Sequence, residues 1–296
     1  MSAVHVVSVI MPTLALAARG ALVRRALDSV LDQQSVHAVP VVVINGPSRD
    51  PGLSRDLRAD RRLRVATLEQ PDLPAALRAG RELVDTPFFA ELDDDDVMLP
   101  GALAARVRAL EEPPQCDVVV TNGFRRDSAG DTLVIPDVAK VARNPLRALL
   151  ERNWLLPGSW LCRTDAVGPE IFDGMPKFAE CTYLALRFAS GYRLRFMEHP
   201  TIAWYADTPQ SASKSRDYVL GHVASLRRIL ELDLPRDVRA GYRGKMAAAF
   251  NGIAALYLRE GDLKQAWRCH FRSLREPRGW RHFLFTLRLL QAAWKV

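Results

Sequence analysis

Four consecutive aspartates, residues 93–96, follow the apolar stretch Phe88-Phe89-Ala90 in this 296-residue chain. Adjacent carboxylates repel one another and resist removal from water, so a strand that carries them to a sheet edge usually has a cation to receive. Hard oxygen ligands favour Mg²⁺ or Mn²⁺, and either ion can join a protein carboxylate to diphosphate oxygens. The alternative is a solvated acidic loop that caps a helix beginning near Pro100.

The segments around this acidic run alternate between strand and helix patterns. Short runs rich in β-branched residues predict strands at 6–11, 40–47, 63–68, 87–92 and 116–121, and apolar residues at helical spacing predict helices after Pro12-Thr13 and at 73–84 and 100–111. Alternation of this kind predicts an α/β fold with a doubly wound, mostly parallel sheet. Ligands of such folds bind at the carboxyl ends of the strands.

The second half of the chain changes character at about residue 216. Residues 130–215 are irregular, whereas 216–233, 236–258, 262–275 and 279–294 each show one apolar helical face. We therefore predict a first domain over 1–215 and a helical, basic C-terminal region over 216–296.

Charge is concentrated in the C-terminal region. The formal net charge is +7, and the residues after 215 contain sixteen Lys and Arg against seven Asp and Glu. No zinc-finger, RNP-type or KH-type motif accompanies this charge, so nucleic acid is not an expected partner. The N-terminus lacks a secretory pattern and the four cysteines form no CxxC pair, so we expect a cytoplasmic chain with reduced thiols.

Residues 263–296 combine eight Lys and Arg and one Glu with many aromatic and leucine side chains. This composition is typical of an interfacial helix that contacts the inner face of a membrane peripherally. The competing interpretation is a core-packing helix whose arginine stems cover apolar surface.

Four sequence landmarks, in order, resemble the family 2 glycosyltransferases of GT-A fold. They are VSVIMPT at 7–13, LDSVLDQQ at 27–34, ELDDDDVMLPGAL at 91–103, and the region that runs from ECTYLALR at 180–187 through Gly191-Tyr192 to His199-Pro200. The resemblance covers about residues 5–215. It implies a donor half over 1–125 and an acceptor half over 126–215.

The resemblance also implies residue roles. Asp93 and Asp95 match the Asp-x-Asp pair. Asp95 is expected to bind the metal directly, Asp93 to contact the metal or the ribose, and Asp94 to be a supporting residue. The donor's base and ribose are expected against the ends of the first two strands. The residues at those strand ends are Pro12, Thr13 and Asn45.

The chain departs from the family pattern at three places. An acidic pair that commonly ends the second strand is replaced by Ile44-Asn45, which leaves the donor's identity open. Cys181 stands at the position where the family usually has its catalytic Asp, so Glu180 becomes the expected general base. The alternatives are a base elsewhere in the chain and weak or absent activity. A family histidine after the last strand is absent, and Asp207 is expected to replace it as a metal ligand, unless it lies in a plain surface turn.

Two further predictions concern the acceptor half and the following loop. Trp154 and Trp160 either stack on a sugar or pack in the core, and Ser211, Ser213 and Lys214 either meet the diphosphate or are solvated.

The acidic run and the resemblance together predict a Mn²⁺- or Mg²⁺-dependent glycosyltransferase, and the resemblance implies that it is inverting. It would use a nucleoside-diphosphate-sugar donor and a glycan or lipid-linked acceptor, in polysaccharide or glycoconjugate biosynthesis. The main alternative is a non-catalytic relative that keeps the nucleotide fold and acts as a scaffold, which Cys181 favours. A nucleotidyltransferase also pairs Asp with Mg²⁺, but the loop after the first strand offers only Arg19-Gly20 for phosphate.

Overall fold

The computed structural model describes residues 5–208 and 215–294, which fall into two compact units. The first unit comprises residues 5–175 and 181–208, and the second comprises residues 176–180 and 215–294. Across these described ranges, no helix combines the length and the apolar character needed to cross a membrane.

The first unit is built on a nine-stranded sheet with the order β3-β2-β1-β4-β8-β6-β9-β5, and β7 pairs with β6. β1 is parallel to β2 and β4, and β2 is parallel to β3, whereas β8 runs antiparallel to β4 and β6. This arrangement confirms the predicted α/β fold. The strands are β1 His5–Thr13, β2 Val36–Asn45, β3 Arg64–Leu68, β4 Phe88–Glu91, β5 Val97–Met98, β6 Val118–Asp127, β7 Gly130–Leu133, β8 Trp160–Arg163 and β9 Leu194–Tyr205.

Helices cover the sheet, and side-chain caps fix where several of them begin. Asp50, Asp72, Asp137 and Asn144 each accept a hydrogen bond from a backbone N–H in the first turn of the helix that follows. β1 and β2 are apolar because helices bury them on both faces. The helices are α1 Gly20–Leu31, α2 Pro51–Ala59, α3 Leu73–Glu82, α4 Ala102–Glu111, α5 Val138–Arg143, α6 Pro145–Glu151 and α7 Glu180–Gly191.

The fifth predicted strand is longer than its apolar pattern indicates. β6 continues to Asp127 and turns back into β7, so the polar residues 125–127 lie in a strand. These residues pair with β7, which follows a tight turn, and with β9, which is distant in the sequence. A local apolar pattern does not indicate a strand that is formed by such pairing.

The second unit contains four α-helices in the described residues: α8 Arg216–Leu230, α9 Arg236–Arg259, α10 Leu263–Arg275 and α11 Phe285–Ala293. The predicted helix over 279–294 is divided, because Gly279–His282 forms a separate 3₁₀ turn. Arg278, at φ 66°, adopts a left-handed conformation that interrupts the chain before this turn.

Candidate active site

The acidic run lies at the carboxyl edge of the parallel strands, as the sequence predicts. β4 pairs with β1 so that Glu91 is opposite Ile10, and the Leu92 N–H donates to the Ile10 carbonyl at 2.9 Å. Beyond this point the chain leaves the sheet in a turn closed by the Asp96 N–H and the Asp93 carbonyl at 3.2 Å. We call residues 91–96 the acidic segment.

Thr13, the last residue of β1, contacts the acidic segment directly. Its hydroxyl Oγ1 donates to Asp94 Oδ2 at 2.6 Å and accepts from the Ala15 N–H at 2.9 Å. Thr13 and Asp94 are both buried. The predicted proximity of the first strand end and the aspartates is therefore present, although Asp94 makes the contact, whereas Asp93 and Asp95 do not.

Arg19 forms the main ion pairs of the acidic segment. It ends the 3₁₀ turn Ala17–Arg19, and its guanidinium pairs with Asp94 and lies 3.4 Å from Asp95 Oδ2. Burial opposes its charge, but the hydrogen bonds and ion pairs with Asp94 and Asp95 outweigh burial and raise the pKa of Arg19 above its ordinary value. Sequence reasoning noticed Arg19 only as part of an Arg-Gly pair.

Two other carboxyl groups of the acidic segment ionise less readily than an exposed aspartate. Burial raises the pKa of Asp96 to about 8, although the Tyr205 N–H donates to its Oδ1 at 2.9 Å. Burial and then four neighbouring carboxylates raise the pKa of Asp93 well above its ordinary value. Asp96 Oδ2 is buried without a hydrogen-bond partner.

A stripe of polar side chains, formed by α1 and the residues just after it, holds the backbone of the acidic segment and the residues that follow it. Arg25 and Ser29 share one face of α1, and Gln33 follows at the same four-residue spacing, two residues after the helix ends at Leu31. Arg25 donates to the Asp95 carbonyl, Ser29 Oγ accepts from the Met98 N–H at 3.1 Å, and Gln33 Nε2 donates to the Leu99 carbonyl at 3.0 Å.

This stripe gives a physical reason for the LDSVLDQQ landmark. Gln33 Oε1 also accepts from the Leu103 N–H at 3.1 Å, so one side chain holds both ends of the turn into α4. Arg25 additionally lies over the Tyr205 ring at 3.9 Å. Sequence reasoning used Ser29 and Gln33 only as part of this landmark, did not use Arg25, and missed the positioning role of all three.

The other donor-side residues lie at the same edge of the sheet. Pro12 is buried in β1 opposite Val43, and Asn45 is the buried last residue of β2. Asn45 Oδ1 accepts from the Asp72 N–H at 2.9 Å, so its side chain helps position the start of α3.

Asp207 lies two residues beyond β9 and is exposed. Its Oδ2 accepts from the Ser128 N–H at 2.9 Å, in the turn between β6 and β7. This contact is a turn-stabilising one, so the role of Asp207 as a metal ligand stays a prediction. Ser211, Ser213 and Lys214 lie outside the described residues.

The donor atoms present fit a metal that a substrate completes. In the described part of the chain, no three His, Cys, Asp or Glu side chains converge to enclose an ion. Mg²⁺ and Mn²⁺ are commonly held by one or two carboxylates together with substrate phosphates. Asp93 and Asp95 supply such oxygens, and the buried Asp96 Oδ2 next to them has no hydrogen-bond partner.

Glu180 is the first residue of α7, and together with residues 176–179 it belongs to the second unit. Burial raises its pKa, against the lowering effect of nearby backbone amides, one of which is the Phe178 N–H at 2.9 Å from Oε1. A carboxylate with a raised pKa is a stronger base, which suits proton removal from a hydroxyl. Its assignment as the base stays a prediction.

Helix α8 anchors the short segment that presents Glu180. Ser225 Oγ donates to the Lys177 carbonyl at 2.5 Å, and the Phe178 ring packs on Gly221, where an added Cβ would approach Cδ2 to 2.6 Å. Phe178 itself has a left-handed φ of 69°. No local sequence pattern indicated these partners.

The two tryptophans of the acceptor half are core residues. Trp154 and Trp160 are 1% and 0% exposed, and they pack edge-on against Phe196 and Phe89. Burial removes both faces from a sugar, so the stacking interpretation is wrong and the packing one is confirmed.

Comparison with known proteins identifies relatives of this arrangement. Residues 8–159 match the model of the family described as Glycosyl transferase family 2. The structure of S. aureus TarS 1–349 in complex with UDP-GlcNAc aligns at TM-score 0.59 and 16% identity, over 91% of this chain and 80% of that one. No curated protein sequence matches significantly.

A second solved structure has a similar fold. Mannosyltransferase PcManGT from Pyrobaculum calidifontis, in complex with GDP-Man and Mn²⁺, aligns at TM-score 0.55 and 17% identity, over 99% of this chain and 86% of that one. At such identities the two structures show a shared fold alone.

Proposed function

This chain belongs to glycosyl transferase family 2, and from that premise we propose that it transfers a sugar, with inversion, from a nucleoside-diphosphate-sugar donor to an acceptor hydroxyl. The acceptor is a glycan or a lipid-linked glycan, and the setting is polysaccharide or glycoconjugate biosynthesis. The TarS and PcManGT structures hold UDP-GlcNAc and GDP-Man, which supports a nucleotide-sugar donor.

One observation carries the proposal most directly. The ends of β1 and β4 meet at one sheet edge, where Thr13 and Arg19 both contact Asp94, inside the stretch that matches the family. A carboxylate-rich sheet edge of this kind is suited to a donor that brings phosphates and a divalent ion.

In the proposed reaction the acceptor oxygen bonds to the anomeric carbon while the bond from that carbon to the diphosphate oxygen breaks. The acceptor proton passes to the Glu180 carboxylate. A bound Mn²⁺ or Mg²⁺ held by Asp93 and Asp95 would neutralise charge on the diphosphate. Thr13 and Arg19 hold Asp94 in place.

The second candidate is a non-catalytic nucleotide-binding scaffold. Cys181, a half-buried cysteine that forms no disulfide, occupies the position where the resemblance places a catalytic carboxylate, which is the observation that favours this candidate. It shares the donor site with the first proposal but predicts no turnover.

Donor binding is tested by thermal shift with nucleoside diphosphates and nucleotide sugars, with and without Mn²⁺. A ligand at about 100 times its Kd stabilises the folded state by about 2.7 kcal/mol. We expect a Mn²⁺-dependent shift in the wild type that Asp95→Ala loses. Asp165→Ala is the matched control, because Asp165 is an exposed aspartate outside the acidic segment, and it should keep the shift.

Turnover then separates the two candidates. With the donor named by the shift, we expect Glu180→Gln to lose sugar transfer and keep the donor-induced shift, while Cys181→Ser keeps both. Donor binding without transfer or donor hydrolysis in the wild type would favour the scaffold. Absence of any nucleotide-dependent shift would refute the donor site itself.

A further inference from the structure

The C-terminal segment exposes an unusual number of large apolar side chains. Among the described residues, ten large hydrophobic side chains are exposed, and only Leu14, Leu83 and Leu133 lie outside residues 271–294. Trp280 and Trp294 are 73% and 90% exposed. We name six of these side chains the C-terminal apolar surface: Trp280, Phe283, Leu284, Leu287, Leu290 and Trp294.

Helix α11 has apolar side chains on two opposite faces. Phe285 and Leu289 are buried in the second unit, where His270, packed against Phe285, shares a hydrogen bond with Thr286 at 2.8 Å. The remaining apolar positions recur at three- and four-residue spacing and point away from that buried face. The exposed leucines are therefore not needed for packing α11 onto its unit.

The charge around this surface has one sign. Residues 277–296 contain no Asp or Glu and four Lys or Arg, of which Arg278, Arg281 and Arg288 are described and exposed. The Arg281 guanidinium lies 5.6 Å from the Trp280 ring centroid and that of Arg288 lies 5.4 Å from Phe285. These arginine guanidinium groups thus lie near aromatic rings while the arginine side chains remain exposed.

We propose that the C-terminal apolar surface inserts into the interface of a membrane that contains anionic lipid. Apolar side chains would enter the boundary between headgroups and acyl chains, and the arginines would meet lipid phosphates. α11 has nine residues, and at about 1.5 Å per residue it is about half as long as the roughly 30 Å hydrocarbon core is thick. The helix therefore lies along the membrane surface.

Charge argues against a second copy of the chain as the occupant. A two-fold dimer presses the same patch against itself, so the arginines of the two copies would meet without any acidic partner in the segment. Anionic lipid removes this repulsion. The membrane proposal goes beyond the sugar-transfer proposal and does not depend on donor chemistry.

The test is flotation of the full chain with vesicles of phosphatidylcholine alone or mixed with phosphatidylglycerol, without donor or acceptor. We expect binding to the mixed vesicles that salt weakens. Trp280→Glu with Trp294→Glu should lower the partition coefficient by at least about a hundredfold, since the lost burial of each side chain is worth about tenfold or more. Leu133→Glu, the same kind of change at an exposed leucine elsewhere, should bind as the wild type does.

A second pair of variants tests the charge separately. Arg281→Gln with Arg288→Gln should weaken binding by about fivefold for each arginine and reduce the preference for the anionic vesicles. Circular dichroism of every variant confirms folding. A wild type that does not float, or a tryptophan variant that floats equally well, would overturn the proposal. Self-association that the tryptophan changes abolish, without vesicle binding, would assign the surface to a second copy instead.

Discussion

Gln33→Leu is the sharpest test of how the acidic segment is positioned. Gln33 is 7% exposed, and its amide satisfies the Leu99 carbonyl and the Leu103 N–H, both close to 3 Å. Leucine has nearly the same size but cannot hydrogen-bond, so the change removes these contacts with little change in packing volume. The adjacent Gln34 is exposed and provides the matched control Gln34→Leu.

The size of the effect follows from the backbone groups that Gln33 serves. The Ser29 carbonyl, which accepts from Nε2 at 3.0 Å, and the Leu103 N–H lose this partner, whereas the Leu99 carbonyl keeps the Ala102 N–H at 3.1 Å. Each unsatisfied buried group costs about 1–3 kcal/mol, and the greater apolarity of leucine offsets part of this, so we expect a loss of about 2–4 kcal/mol. For a chain of this size that corresponds to a fall in Tm of about 4–12 °C. Gln34→Leu should stay within about 0.5 kcal/mol of the wild type.

Two measurements check this reasoning. Urea unfolding compares the free energies of unfolding of the three proteins, and a Mn²⁺ and nucleotide titration compares their donor affinities. We expect weaker donor binding for Gln33→Leu alone, because the turn after the acidic segment is no longer held. Equal stability of the two leucine variants would refute the argument, and loss of stability with unchanged donor affinity would limit Gln33 to a purely structural role.

Three further predictions concern charged side chains. Burial raises the folded-state pKa of Glu180, so the protonated carboxyl stabilises the fold in acid, and this stability is lost as pH rises through the raised pKa. The Tm of Glu180→Gln relative to that of the wild type should therefore increase from acidic to neutral pH. A Tm difference that does not change with pH would contradict this. The Arg106 guanidinium is fully buried, donates to the Trp160 carbonyl at 3.2 Å, and burial lowers its pKa to about 9. Arg106→Met removes an unpaired buried charge but strands its acceptors, so we expect a net loss of about 1–3 kcal/mol in urea unfolding, and a gain in stability would show that the desolvation cost dominates. Arg19→Gln should increase the Tm shift caused by Mn²⁺ alone, because a positive charge that competes for Asp95 is removed; a smaller shift would show that Arg19 supports the metal site and does not oppose it.

The sequence indicated much of the donor side because the relevant information is local. An apolar strand followed by a run of aspartates identifies the acidic segment without knowledge of its neighbours, and strand and helix alternation places Thr13 and Asn45 at the same edge. Most of the elements that were predicted also have boundaries close to those of the structure, since apolar periodicity acts within a few positions, whereas short elements such as α2 and β8 were not predicted.

Contacts between distant residues could not be predicted in this way. Gln33 and Leu99 are 66 positions apart, and Arg19 and Asp94 are 75 apart. A long polar side chain can reach many partners, and only the packing of α1 beside β5 selects these. The roles of Trp154 and Trp160 remained ambiguous for the same reason. A tryptophan in the sequence does not report whether its ring is buried in the core or exposed to a ligand.

What the sequence by itself determined is the chemistry available: the carboxylates, their place after a buried strand, the family pattern, and the basic, aromatic C-terminal segment. Tertiary structure alone decided which charges neutralise each other, which polar side chains hold the acidic segment, and which apolar residues of α11 remain exposed. The physical reason is that residue type and spacing set local conformation and periodicity, whereas burial and electrostatic pairing depend on segments brought together by folding.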